Sequence, residues 1–253
     1  RTVLTAVGTW HVLDSDPAST VEPLVLLHGL FTTSASMALL GVLLAPYRRV
    51  VMPDLLDFDF GYSKSHAEGD FVEWGEHVDA TAALLKALGG ALDVMGHSFG
   101  GWLAVRIADK YPELVRRLVL LAPGGLGRYR PLRSMATFAS RRRTAEAVVP
   151  HPLPGPVGRL VADGFQALAY SSTTVRMLRS LDFKQYFQRV PIRVPALLLW
   201  GRDDRLHTPW ATGSDDAMMR DVLHGEGYWV EAAGHMLPVD STVAVCDAAC
   251  RFL

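Results

Sequence analysis

Three side chains, far apart along the chain, could together activate a hydroxyl. Ser98 stands in Gly96-His97-Ser98-Phe99-Gly100, between the apolar run "ALDVMG" (91–96) and the helix-like "GGWLAVRIADKYP" (100–112). The five-residue pattern alone carries little weight. With a strand before it and a helix after it, it reads as a nucleophile elbow, a tight turn that lifts the hydroxyl at a sheet edge. Glycine on either side lets backbone pass close by. A serine hydroxyl is a weak nucleophile, so it needs a base to take its proton and a third group to orient that base. His235 in "EAAGHMLPVD" follows the strand-like "GYWVEA" and precedes a helix, which suits the base. The orienting acid is expected at the end of the preceding strand, where "LLLWGRDDRLHTP" offers Asp203 and Asp204.

The elements that must hold these groups follow from hydrophobic periodicity. "PLVLLHG" (23–29), "RRVVMPDLL" (48–56), "ALDVMG" (91–96), "VRRLVLLAPGG" (115–125), "VPALLLWG" (194–201) and "GYWVEAAG" (227–234) contain short continuous apolar runs. Such runs suit strands covered on both faces. Helical patterns lie at 34–45, 71–89, 100–112, 209–222 and 240–253, and the first twelve residues read as a strand or hairpin. Alternating strands and helices predict an α/β fold: a mostly parallel central sheet with helices on both faces. The rhythm breaks between 126 and 190, where short helix-like pieces replace strands. The expected organisation is therefore a core of 1–125 and 191–253 carrying a small helical cap at 126–190. Such a cap is expected over the C-terminal edge of the sheet, where open α/β folds bind ligands. Its apolar residues Met135, Phe138, Phe165, Leu168, Tyr170 and Met177 are candidates for a substrate pocket or for packing onto the core.

The chain has 253 residues, 49% apolar and 20% charged, with a formal net charge of −1. That balance fits a globular protein and gives no reason to expect nucleic acid as a partner. The cluster Arg141 to Arg143 reads as a solvated helix face. No run of 18 apolar residues occurs, so no integral membrane segment is expected. Cys246 and Cys250 are spaced to share one helix face and read as free thiols, pointing to a reducing, cytoplasmic setting. The chain opens at Arg1, which leaves a removed leader open.

These motifs, taken together, resemble the α/β-hydrolase superfamily, in its serine esterase and lipase-like branch, over essentially the whole chain. The order serine, acid, histidine is the order of that superfamily. In that family the acid stands three residues after the glycine of a G-x-x-D segment. Counting from Gly201 gives Asp204, with Asp203 as the alternative. An oxyanion hole is required, because attack on a carbonyl leaves charge on oxygen. The N–H of Phe99, next to the nucleophile, is one expected donor. The resemblance implies Leu30, after His28-Gly29, as the other, with Phe31 as the alternative, and the His28 side chain as a brace for that loop. The segment "MPDLLDFDFGYSKS" is similar to a family stretch but departs from it at Asp57 and Asp59, which read as solvated loop charges rather than a metal site. The remaining histidines, His97 included, are expected at the surface or in packing; His207, close to the candidate acids, is the one rival to His235.

Serine at the elbow favours acyl transfer to water, with neither cofactor nor metal required. The resemblance implies a small-molecule ester substrate of short to medium acyl chain. Two alternatives are carbon–carbon hydrolysis of meta-cleavage products and ligand binding with slow turnover. Oligomeric state is not readable.

Overall fold

The apolar runs become strands of a nine-stranded sheet in a computed structural model that describes residues 1–30, 32–57, 61–67, 73–126, 190–204, 206 and 225–253. The expected cap, its candidate pocket residues and Arg141 to Arg143 lie outside the described residues. In chain order the strands are β1 (Thr2–Leu4), β2 (Gly8–Asp14), β3 (Leu24–Leu27), β4 (Val50–Pro53), β5 (Lys64–Ser65), β6 (Leu92–His97), β7 (Val115–Leu121), β8 (Ala196–Gly201) and β9 (Gly225–Val230). The helices are α1 (Ala38–Leu44), α2 (Trp74–Ala87), α3 (Phe99–Lys110), α4 (Leu237–Asp240) and α5 (Thr242–Phe252).

β1 and β2 form an antiparallel hairpin, β2 runs antiparallel to β4, and short β5 joins β2. From β4 onward every pairing is parallel, in the order β4-β3-β6-β7-β8-β9. The chain leaves β3 for β4 on one side, then returns past β3 to β6 on the other. Right-handed crossovers therefore place α1 on one face and α2 and α3 on the opposite face. The contacts agree, with α1 against α5 and α2 against α3. The direction of winding reverses between β3 and β6. In open α/β sheets such a reversal is where ligands bind, beyond the C-terminal ends of the strands.

β3, β6 and β8 are buried along their whole length, which is why their sequences lack apolar–polar alternation. β9 forms the sheet edge and is largely exposed; it starts at Gly225, two residues before the apolar run suggests. Residues 34–45 divide into a 3-10 turn (Ser34–Met37) and α1, because the Thr33 hydroxyl accepts from the Ala35 N–H and caps the turn. α2 begins at Trp74 rather than 71: Glu73 and Glu76 close a reciprocal capping box.

At the N-terminal ends of the strands, Asp93 is fully buried. Burial alone would raise its pKa. Arg116 at 2.9 Å and Arg48 at 2.8 Å hold it below the ordinary carboxylate value. Cys246 and Cys250 are both free, with their sulfurs 4.0 Å apart; burial, then the neighbouring Cys250, pushes the Cys246 thiol up to about 11. Among the described residues no helix is long and apolar enough to cross a membrane.

The first turn of α3 lies directly on the end of β3. A methyl group on Gly100 would overlap the Leu27 carbonyl and stand 2.6 Å from the His28 carbonyl oxygen. Backbone at both positions cannot yield without moving β3 away from β6. Gly100→Ala should lower the unfolding free energy by about 2 kcal/mol or more in urea titrations, the usual scale of core overpacking. An unchanged midpoint would contradict this account of the β3–α3 contact.

Candidate active site

Ser98 joins β6 to α3 at φ 51°, ψ −113°, a left-handed conformation rarely adopted by residues other than glycine. Its N–H donates to the Leu121 carbonyl (2.9 Å), and its own carbonyl accepts from Trp102 (3.0 Å) and Gly124 (2.8 Å). Gly96 and Gly100 face each other across the turn, and a Cβ on Gly96 would fall onto the Gly100 carbonyl. The two glycines of the motif therefore serve close backbone approach.

The loops after β8 and β9 converge on the Ser98 hydroxyl. His235 Nε2 lies 2.9 Å from Ser98 Oγ, and its Nδ1 lies 2.8 Å from Asp204 Oδ2. A carboxylate accepts only, so Nδ1 carries the imidazole proton and Nε2 accepts from the serine hydroxyl. Asp204 Oδ1 accepts from the Leu206 N–H (2.9 Å), and Oδ2 also accepts from the Trp200 indole N–H (3.0 Å). Ser98, Asp204 and His235 are all nearly sealed from solvent. Between the two candidate acids, Asp204 faces the imidazole. Asp203 is exposed and meets the His235 loop through its backbone N–H, donated to the Ala233 carbonyl at 2.9 Å. His207 and Phe31 lie outside the described residues.

Phe99 is the first residue of α3, so its N–H belongs to the turn beside Ser98, while its ring packs against Trp74 and Trp102. The loop carrying Leu30 is brought to the same place by Gly29. A Cβ there would stand 3.2 Å from Ser98 Cβ. His28 accepts the Leu55 N–H at Nε2 (3.0 Å), which puts its proton on Nδ1, donated to the Gly29 carbonyl (2.8 Å). Thr32 donates to the same carbonyl at 2.9 Å. In a trans peptide the C=O and N–H point opposite ways. Anchoring the Gly29 oxygen thus fixes the direction of the Leu30 N–H.

Several supporting residues were not foreseen in these roles. His97 is buried, and its Nε2 donates to the backbone carbonyl of His235 at 2.8 Å, tying the His235 loop to the strand that ends at Ser98. Asp57, read from sequence as a solvated charge, is instead buried at φ 57° and accepts from the Ser65 N–H at 3.0 Å. Asp59 lies outside the described residues. Asp54 accepts from Ser34 (2.8 Å) and Tyr62 (3.0 Å) and joins the loop after β3 to the loop after β4. Burial pushes its pKa up, but these bonds and the nearby His28 leave it below the ordinary value. A histidine directly before an elbow serine, and an aspartate directly after a strand, were the available signals. Among the described residues no cluster of three metal-ligating side chains occurs.

Comparison with known proteins follows the same lines. The model of the alpha/beta hydrolase family matches residues 24–248. The chain belongs to the alpha/beta hydrolase family. A 2-hydroxymuconate semialdehyde hydrolase of Pseudomonas putida is 45% identical over 82 residues, 31% of this chain and 27% of that protein. The match thus spans little more than a quarter of the relative's length. The carboxylesterase CesB from Bacillus subtilis superimposes with a TM-score of 0.74 at 22% identity, over 100% of this chain and 90% of that one. The 2-hydroxy-6-oxo-6-phenylhexa-2,4-dienoate hydrolase from Rhodococcus sp. strain RHA1 gives 0.78 at 19% identity, over 100% and 99%. These two structural likenesses show a shared fold.

The brace on the alpha/beta hydrolase's Leu30 loop depends on pH. Burial lowers the His28 pKa to about 4, against the opposing pull of the Gly29 carbonyl and Asp54. In the unfolded chain a histidine titrates near ~6.5. Above that pH the imidazole is neutral in both states. As pH falls from there, the unfolded chain takes the proton first, so stability declines until about pH 4 and then levels off. The full loss is on the order of 3 kcal/mol. Urea unfolding of wild type and His28→Gln, followed from neutral to acid pH, should show a shallower decline in the variant. Parallel declines would place the proton uptake elsewhere.

Proposed function

We propose that the protein is a serine hydrolase cleaving carboxylic esters of short to medium acyl chain. The observation that supports this reading best is the unbroken chain of hydrogen bonds from Ser98 Oγ through His235 to Asp204, at 2.9 and 2.8 Å. In this reading Ser98 attacks the ester carbonyl while His235 Nε2 takes its proton. The carbonyl oxygen becomes an oxyanion facing the N–H groups of Leu30 and Phe99. His235 then protonates the departing alcohol as the C–O bond breaks, leaving an acyl group on Ser98. Water, deprotonated by the same imidazole, attacks the acyl carbon and releases the acid. Asp204 remains a carboxylate and holds the imidazole throughout. His28 and His97 hold the two loops and take no part in proton transfer.

A second reading is favoured by the sequence likeness to a 2-hydroxymuconate semialdehyde hydrolase. A carbon–carbon hydrolase would use the same hydroxyl, base and oxyanion donors on the carbonyl of a meta-cleavage product. Its leaving group departs from carbon as a delocalised enolate rather than from oxygen as an alkoxide.

Steady-state rates on p-nitrophenyl esters of increasing chain length and on a dienoic ring-cleavage product separate the two. Rapid turnover of p-nitrophenyl butyrate with poor dienoate cleavage is expected, and the reverse pattern would move the assignment to the second reading. Ser98→Ala should lower kcat/KM by at least about a thousandfold. A variant that retains near-full hydrolysis would remove Ser98 from the mechanism. Asp204→Asn should be crippled, whereas Asp203→Asn should stay within about threefold of wild type, as expected for an exposed carboxylate remote from the imidazole.

A further inference from the structure

The carboxylate of Asp204 is held by more than the imidazole it orients. Trp200 lies on β8, four residues before Asp204, and is fully buried. Its indole N–H reaches Asp204 Oδ2 at 3.0 Å, the same oxygen that accepts from His235 Nδ1 at 2.8 Å. Oδ1 is taken by the Leu206 N–H at 2.9 Å. Among the described residues, one oxygen thus accepts from the local backbone and the other from two side-chain donors.

This sharing has chemical consequences. A carboxylate turns readily about its Cβ–Cγ bond, and the backbone bond to Oδ1 alone leaves Oδ2 free to swing. The indole is rooted in a strand paired on both sides: the preceding Leu199 is in register with Leu121 on β7, and Trp200 with Trp229 on β9. It is therefore a stiffer anchor than a loop residue. Indole nitrogen is a donor only and exchanges no proton with the carboxylate. Two donors on one oxygen also divide its electron density, so the bond to His235 Nδ1 is weaker than it would be alone.

We propose that Trp200 is a positioning residue for Asp204: its indole N–H pins Oδ2 and sets the strength of the Asp204–His235 bond. The assignment rests on the catalytic reading of Ser98, His235 and Asp204 given above, and the test keeps the two separable. Trp200 is replaced site-specifically by 3-benzothienylalanine, which keeps the bicyclic shape and lacks the N–H; Trp200→Phe serves as the genetically encoded partner. Two readouts are taken: kcat and KM with p-nitrophenyl butyrate, and the downfield proton resonance of His235 Nδ1–H in the resting protein, assigned by its loss in His235→Gln.

The shape-preserving analogue should lose about tenfold in kcat with KM within about twofold, the pattern for an interaction that acts on the transition state. The resonance should move further downfield, because the remaining donor no longer shares Oδ2. A resonance that keeps its position, or a kcat equal to wild type, overturns the proposal and reduces Trp200 to packing. If the wild type hydrolyses no ester but the resonance still moves, the pairing of Trp200 with Asp204 stands and the ester reading fails instead.

Discussion

The backbone of Ser98 is the constraint on which the site is built. A non-glycine residue at φ 51°, ψ −113° carries a local cost of about 1–3 kcal/mol and persists only where its surroundings over-determine it. Here they do. The strained unit is bonded on one side to Leu121, at the end of β7, and on the other to Gly124, just beyond it. The glycines before and after it let α3 settle directly on β6 and β3. Relaxing Ser98 to an extended conformation would break both bonds and lift α3 from the sheet. The hydroxyl is therefore raised at the C-terminal edge of the sheet, where β6 ends, by the same contacts that close the core beneath it.

A second consequence follows from burial. Ser98 is 8% exposed, Asp204 5% and His235 2%, so every polar atom among them must be bonded within the protein. The protein meets this with side chains that touch no reacting atom. His28 holds the Gly29 carbonyl, His97 the His235 carbonyl, Asp54 the backbone of Ser34 and Tyr62, and Trp200 the carboxylate of Asp204. His97 and Asp54 join segments distant in sequence, as does His28 through its bond to Leu55, whereas Trp200 acts within its own strand and the loop after it. In a low-dielectric interior such bonds are strong when satisfied and costly when broken. The loops at the sheet's C-terminal edge are held by these polar pairs together with buried apolar residues such as Leu55, Leu56 and Ala233.

Much of this arrangement can be read before any coordinates. Continuous apolar runs mark β3, β6, β7 and β8, because parallel strands covered on both faces need no alternation. Ser98 and His235 stand out because each sits where a strand ends and a helix begins. The choice between Asp203 and Asp204 is harder. Adjacent residues leaving a strand point in opposite directions, and spacing alone does not say which turns inward. Asp57 misleads for a related reason: a charged residue in a polar loop looks solvated unless the path of the loop is known. His97 is ambiguous because hydrogen bonding to a carbonyl 138 positions away leaves no local pattern. The edge strand β9 blurs as well, since its exposed start at Gly225 carries no hydrophobic signal.

The placement of charge in the fold suits the reaction proposed for it. Proton transfer from Ser98 to His235, coupled to attack, creates a negative charge on substrate oxygen and a positive one on the imidazole. α3 begins at Phe99, and over its 12 residues it directs the positive end of its dipole toward the hydroxyl and the oxyanion. That same field opposes a cation nearby, so the imidazolium requires its own counter-charge. Asp204 supplies it at 2.8 Å from Nδ1, on the side of the ring away from Ser98. Its pull must be strong enough to steady the cation and weak enough that the proton is returned to the leaving group. Dividing Oδ2 between His235 and Trp200 is a way to set that balance with a fixed group that never titrates.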